Sequence, residues 1–245
     1  MRYEMVKGLA QEYQNYTAED FEVWKFLYER QIPKLNEVAA EEYLQGIKNI
    51  EFVADKIPDI LETNKLLATK TGWELIVVPG IIKEPDFFNL LSQKKFPATT
   101  WLRKKDSLDY LPEPDMFHDV FGHVPLLTHY HFTEFFQTLG KLGVEHLQNE
   151  KVVAMLGRLY WFTIEFGLIN TNHQLKIYGA GIISSYSETS FSLSDTPKHL
   201  PYDASVIMNT PYENDHIQDT YYVIDSFEQL YHSIETIKEV IAQNI

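Results

Sequence analysis

The sequence predicts a mainly α-helical fold with a few short strands, a single compact domain over residues 1–245. Three observations lead there. Apolar residues recur at helical spacing through several long stretches, some opened by a Thr, Asp or Ser suited to capping. Only short β-branched or alternating runs interrupt those stretches. The chain is 44% apolar over 245 residues, and no Gly/Ser linker, low-complexity run or internal repeat divides it.

Thr17 reads as the N-cap of a helix carrying Phe21, Trp24, Leu27 and Tyr28 on one face and ending before Pro33. A second helix from about Lys34 to Ile47 places Leu35, Val38, Ala39 and Leu44 at helical spacing. Asp59 to Thr69 forms a third, with Gly72 suited to its C-terminal end. Trp73 to Val78 is a β-branched run that predicts a short strand before Pro79-Gly80. Phe132–Gln148 and Val152–Leu168 predict two longer helices, and Leu175 and Ile177 alternate with polar residues as another strand would. Ser226 with Gln229 forms a capping box for a final helix that aligns Leu230, Ile234, Ile237 and Ile241.

Composition narrows the function classes. With 35 acidic against 21 basic residues the net charge is −14, which argues against nucleic-acid binding. No polybasic cluster suggests a lipid surface. No cysteine is present, so disulfides, thiolate metal sites and a Cys nucleophile are excluded, and any metal must use His, carboxylates or main-chain oxygens. Met1 to Gln14 mixes charges without a continuous apolar segment, and no run of about 18 apolar residues occurs, so neither a signal peptide nor a membrane span is expected. These readings point to a cytoplasmic enzyme.

The most informative stretch is Glu113 to Leu127, which sets His118 and His123 in an otherwise apolar segment. Farther on, Tyr160 to Gly167 puts Glu165 in the middle of an aromatic helix. Two imidazoles and one carboxylate are the ligand set of mononuclear non-haem iron(II) oxygenases. Residues five apart on a regular helix stand about 140° out of line, so the histidines share a metal only if the helix is distorted, as Gly122 and Pro125 allow. The ordinary alternatives are hydrogen-bonded core histidines, and a Glu165 on a wet stripe or paired with Arg158. His129 and His131 compete as ligands but read as a polar surface turn. Asp115, Asp119 and Ser184 are candidates to receive the second ring nitrogen of a bound His, although acids here also suit a helix N-terminus.

These motifs resemble the signature of the pterin-dependent aromatic amino acid hydroxylases. Glu113–Leu127, Tyr160–Gly167 and Tyr178–Ser185 (YGAGIISS) carry the likeness, and Trp24–Gln31 (WKFLYERQ) and Trp101–Tyr110 (WLRKKDSLDY) resemble the short bacterial phenylalanine hydroxylases. The likeness runs from about Trp24 to Phe227. It implies an enzyme that uses iron(II), a tetrahydropterin and dioxygen to hydroxylate L-phenylalanine to L-tyrosine. The same chemistry on tryptophan or tyrosine, or at another ring carbon, stays open. So do a zinc hydrolase with the same ligands and a catalytically silent amino-acid- or pterin-binding protein.

By resemblance, His118, His123 and Glu165 bind the iron. Arg103 clamps the substrate carboxylate, and Trp161 and Phe166 help cage its ring. Phe87 stacks on the pterin, Ile81 and Ile82 line the same cleft, and Asp119 bonds the pterin directly or through water. Tyr160, Asp115 and Ser184 lie around the iron, with Ser184 supporting His118 and also counted with Arg103, Trp161 and Phe166 at the substrate site. Two positions depart from the animal members: Leu111 replaces a Thr beside the substrate, and Pro85 replaces an Arg before Asp86-Phe87. Neither a regulatory domain nor a tetramerisation helix is expected, and a monomer is expected ahead of a dimer.

Overall fold

The structure, a computed structural model, describes residues 8–109, 111–213 and 216–245. Residues 1–7 of the Met1–Gln14 segment, and Tyr110 at the end of the Trp101–Tyr110 motif, lie outside the described residues.

Helix α1 spans Ala18–Val38 and opens on a full capping box, Thr17 receiving the Asp20 amide while Asp20 receives that of Thr17. It does not end before Pro33. Pro33 is exposed, so the carbonyl its ring leaves without an amide is free to bond water, while buried Gln31 and Leu35 on either side anchor the helix. The break comes instead at Ala39-Ala40, where the Ala40 amide leaves the helical pattern for the Ile177 carbonyl at 2.8 Å. The expected second helix is therefore the end of α1 plus α2 (Glu41–Asn49). Phe21 is 37% exposed and lies off the buried stripe of Trp24 and Leu27.

Helix α3 (Ile60–Lys70) starts at Asp59, whose carboxylate receives the Glu62 amide, and ends at Gly72 with φ of 75°. Strand β1 (Glu74–Val77) pairs in parallel with β2 (Lys95–Ala98) across α4 (Glu84–Ser92); sequence periodicity did not single out β2 or α4. Helix α5 covers Tyr130–Glu145 and α6 covers Glu150–Tyr160.

Past Tyr160 the expected helix changes character. Trp161–Glu165 is a π-helical turn, and Leu168–Thr171 is strand β3, pairing antiparallel with β4 (Gln174–Ile177). Helices α7 (Ala180–Ile183) and α8 (Tyr186–Phe191) follow, then β5 (Lys198–Pro201), α9 (Ala204–Ile207) and β6 (Thr220–Ile224). The second sheet runs β4-β3-β6-β5. The final segment is two helices, α10 (Phe227–His232) and α11 (Ile234–Ala242). Ser226 caps α10 through the Gln229 amide, but the Gln229 side chain reaches the Asp225 amide, one residue short of a reciprocal box.

One apolar core joins these elements. Near its centre Trp24 meets Phe52, Phe117 and Phe121 edge-on, and Phe117 stacks on Phe121 at 4.4 Å. Those two phenylalanines belong to the other π-helical turn, Phe117–Gly122, the first in chain order. The buried Tyr43 hydroxyl donates to the Phe121 carbonyl at 2.8 Å, satisfying a polar group that the widened turn leaves in the core. The core thus holds the segment carrying both histidines from behind.

Candidate active site

The two π-helical turns answer the spacing problem. A helix with i→i+5 bonds brings residues five apart onto one face, where a regular helix would separate them. His118, inside the first turn, and His123, at its C-cap, stand in that relation, with ring centroids 5.1 Å apart. Tyr160 and Glu165 stand in the same relation at the second, where the Phe166 amide bonds the Trp161 carbonyl and the Tyr160 hydroxyl donates to Glu165 Oε1 at 2.7 Å.

The turns converge. Glu165 Oε2 lies 3.5 Å from His118 Nε2, and Oε1 lies 3.2 Å from His123 Nε2. One ligand atom from each of the three falls within 4.8 Å of the others. Atoms about 2.1 Å from a common ion and at right angles stand about 3 Å apart, close to the two separations found. The trio therefore fits an ion held on one face. His129 and His131 take no part: His129 caps α5 through the Phe132 amide, and His131 pairs with Glu228 at 3.1 Å.

Hydrogen bonds fix the state of the donors. Ser184 Oγ donates to the Ala180 carbonyl at 2.8 Å, so its contact of 2.9 Å with His118 Nδ1 leaves it the acceptor. His118 is then protonated at Nδ1, and the ring turns its Nε2 toward Glu165 and His123. Burial alone would raise the Glu165 carboxyl, but His123, His118 and the Tyr160 hydroxyl outweigh it and hold the group down at about 2. Arg158 is not its partner; that guanidinium donates to the Met208 carbonyl at 3.0 Å.

The trio opens onto a cavity of about 940 Å³. Phe87, Ile81, Ile82, Asp119, Tyr160 and Trp161 line it. Ile81 is 73% exposed and sits at the mouth, while Phe87 meets Tyr160 edge-on at 5.2 Å. Asp119 is buried and receives the Thr99 amide and hydroxyl, both on Oδ2, at 2.7 and 2.8 Å. Burial pushes its carboxyl up to about 6 against the pull of His118 and Thr99. Phe166 is not on the cavity wall; it packs on Trp161 at 4.6 Å.

Arg103 and Asp115 stand apart from that wall. Asp115, fully buried, receives Arg103 Nε at 2.9 Å and Nη2 at 2.8 Å, and also the main-chain amides of Arg103 and His118. The sequence suggested Asp115 as an acceptor for a histidine ring; it instead fixes the His118 backbone. Arg103 is 7% exposed and lines a neighbouring cavity of about 540 Å³. Its side chain spends three of five N–H donors on Asp115 and the Leu108 carbonyl, leaving one on each terminal nitrogen.

Sequence reasoning missed several neighbours. Phe96 lies against the His123 ring at 4.8 Å, and Tyr212 stacks on Trp161 at 4.3 Å. Gln218 receives the Trp161 indole N–H at 2.9 Å. Phe96 sits on the short strand β2 and Tyr212 follows Pro211 in a loop, so neither carried a periodic or ligand-spacing signal.

Comparison with known proteins places this geometry. Residues 2–245 match the model of a family described as biopterin-dependent aromatic amino acid hydroxylase. A phenylalanine-4-hydroxylase of Chromobacterium violaceum is 46% identical over 203 residues, covering 82% of this chain and 68% of its own. One of Pseudomonas aeruginosa is 44% identical over 196 residues, 80% of this chain and 74% of its own. The crystal structure of the C. violaceum enzyme with iron(III) and 7,8-dihydrobiopterin superposes with a TM-score of 0.91 and 44% identity, over 96% of this chain and 86% of that one.

Proposed function

The chain belongs to the biopterin-dependent aromatic amino acid hydroxylases, and from that membership we propose that it is an iron(II)- and tetrahydropterin-dependent monooxygenase converting L-phenylalanine to L-tyrosine. The observation that carries the reading is the convergence of His118, His123 and Glu165 at one end of an open cavity. The donor set fits iron(II): two imidazole nitrogens, one ring oriented by Ser184, and a carboxylate held ionised. Iron(II) and a tetrahydropterin bound there supply the dioxygen chemistry, one oxygen atom going to the ring and the other to the oxidised pterin.

The chain's own residues bind, orient and exclude water. Arg103 receives the substrate carboxylate on the N–H donors that remain on its two terminal nitrogens. Trp161, braced by Phe166 and Tyr212, holds the aromatic ring toward the metal. Phe87 offers a ring face to the pterin, with Ile81 and Ile82 along the cleft. Asp119 keeps Oδ1 for a pterin N–H, directly or through water, because Thr99 occupies Oδ2. Tyr160 steadies Glu165 by its hydrogen bond.

The partners are small molecules. We read residues 1–245 as one catalytic domain, working as a cytoplasmic monomer without nucleic acid or membrane. The net charge of −14 speaks against nucleic acid, whose phosphates call for Lys and Arg, and no helix among the described residues is long and apolar enough to cross a membrane. Steady-state comparison of phenylalanine, tyrosine and tryptophan, with products identified, tests the substrate. The largest kcat/KM falls on phenylalanine with hydroxylation at C4; a larger value on either other amino acid overturns the assignment.

A further inference from the structure

We propose that Arg30, at the surface of α1, is a positioning residue for the Arg103 clamp. This rests on Arg103 as the group that receives the substrate carboxylate. The link between them is one atom. The Leu108 carbonyl accepts from Arg103 Nη1 at 3.1 Å and from Arg30 Nη2 at 3.1 Å. Both lone pairs of that oxygen are then used, and each guanidinium helps to set where the other's acceptor sits.

Arg103 is held at two edges. Asp115 grips Nε and Nη2, and Leu108 holds Nη1. The Asp115 grip is built into the core. The Leu108 grip depends on the segment Lys104–Asp109, which reaches α1 through side-chain contacts. At its start Lys104 pairs with Asp20 and Lys105 with Glu22; these lysines are 59% and 57% exposed and hold little. At its end the Arg30 side chain, only 19% exposed, holds the Leu108 carbonyl at 3.1 Å, while its pair with Asp109 at 2.7 Å adds little because Asp109 is 83% exposed.

Arg30 is itself fixed in place. Its guanidinium lies 5.2 Å from the Phe26 ring centre and 5.1 Å from that of Tyr186, on α8. A planar guanidinium can lie between two rings and still fork its donors to Leu108; an ammonium, like that of Lys34 over the same Tyr186 ring at 4.4 Å, can face a ring but cannot also make that fork. The next residue reinforces the frame: the Gln31 amide donates to the Ile183 carbonyl and the Thr189 hydroxyl, both at 2.7 Å. Through these adjacent side chains α1 ties together the segment that orients Arg103 and the segment that carries Ser184.

The experiment is steady-state kinetics on iron-loaded full-length enzyme, comparing Arg30→Ala, Arg30→Lys, Asp109→Asn and Arg103→Lys. Arg30→Ala raises the phenylalanine KM on the order of tenfold, as expected for loss of a charged hydrogen bond, while the pterin KM stays put and kcat changes less than about twofold. Arg30→Lys rescues little, because an ammonium cannot hold Leu108 and Asp109 and also stack. Asp109→Asn, which removes only an exposed partner, is nearly silent. Arg30→Ala placed on Arg103→Lys adds much less than it does alone.

A lowered Tm in both Arg30 variants with both KM values unchanged overturns the proposal, leaving Arg30 a stabilising contact. Additive effects on Arg103→Lys overturn it as well. If Arg103→Lys alone leaves the phenylalanine KM unchanged, the clamp reading fails and the proposal falls with it. If Arg103→Lys raises that KM and neither Arg30 variant does, only the proposal fails.

Discussion

His118 shows how much of a candidate ligand's placement is set by the protein around it. Its ring is oriented by Ser184 and its main-chain amide by Asp115. Ser184→Ala leaves the ligand in place but frees its tautomer and orientation. We expect iron(II) affinity to fall on the order of 10–100-fold with the fold intact, measured by titration of the apoprotein; unchanged affinity would remove Ser184 from the site. Glu165→Gln removes the charge that balances the ion and should abolish stoichiometric iron binding, measured by metal analysis after gel filtration. The candidate ligands could be picked out because His118, His123 and Glu165 sit in apolar surroundings where unpartnered polar groups are costly. The Arg103–Asp115 fork was not legible: the residues are 12 positions apart, and nothing in their spacing says that they meet.

At the scale of elements, the π-helical turns matter most. The sequence announced a distortion through Gly122 and Pro125, but not its kind, because residue types do not distinguish a widened turn from a helix end. The same limit explains why Val152–Leu168 read as one helix where a helix, a π-turn and a strand follow in series. Strands β2 and β5 each contain a proline and no β-branched residue, so neither alternation nor β-propensity marks them, whereas β1 and β4, equally short, carry such a signal. Close packing gives a mutational test. A Cβ on Gly46 of α2 would lie 2.2 Å from the Pro125 carbonyl oxygen, just past His123. Gly46→Ala should cost on the order of 1–3 kcal/mol in denaturant unfolding, and an unchanged midpoint would contradict this packing.

Helix α8 and strand β6 supply a pH-dependent test away from the metal. Glu188 is buried and accepts the Tyr221 hydroxyl at 2.7 Å; burial raises its carboxyl above the ordinary value, with Tyr221 pulling the other way. The folded chain therefore holds this proton more tightly than the unfolded chain does. The stabilisation is complete below the unfolded value near 4.5 and is lost as pH rises through the raised folded value. Glu188→Gln keeps an acceptor for Tyr221 and carries no charge. Its Tm should exceed that of the parent by a few degrees at about pH 7, with the gap closing below pH 4.5. A gap that ignores pH would contradict the account.

For the whole molecule, family, fold class and cofactor chemistry were legible because long motifs keep their order from Trp24 to Phe227. The shape of the cavity was not, since Phe96, Arg158 and Tyr212 reach it from three separate elements or loops. The cavity and the core are one body, so metal binding should report on global stability. At a hundredfold excess over its Kd, iron(II) should add about 2.7 kcal/mol, on the order of 5–10 °C in Tm for a chain of this size. His123→Ala should show no such rise.

The central claim is that His118, His123 and Glu165 hold the iron of a phenylalanine hydroxylase. The most direct measurement loads the protein with iron(II) under anaerobic conditions, adds tetrahydropterin and phenylalanine, admits oxygen, and quantifies tyrosine against oxidised pterin. The account predicts tyrosine in step with pterin oxidation, and neither product from Glu165→Gln. Pterin oxidation with no tyrosine, or full tyrosine formation by Glu165→Gln, would contradict it.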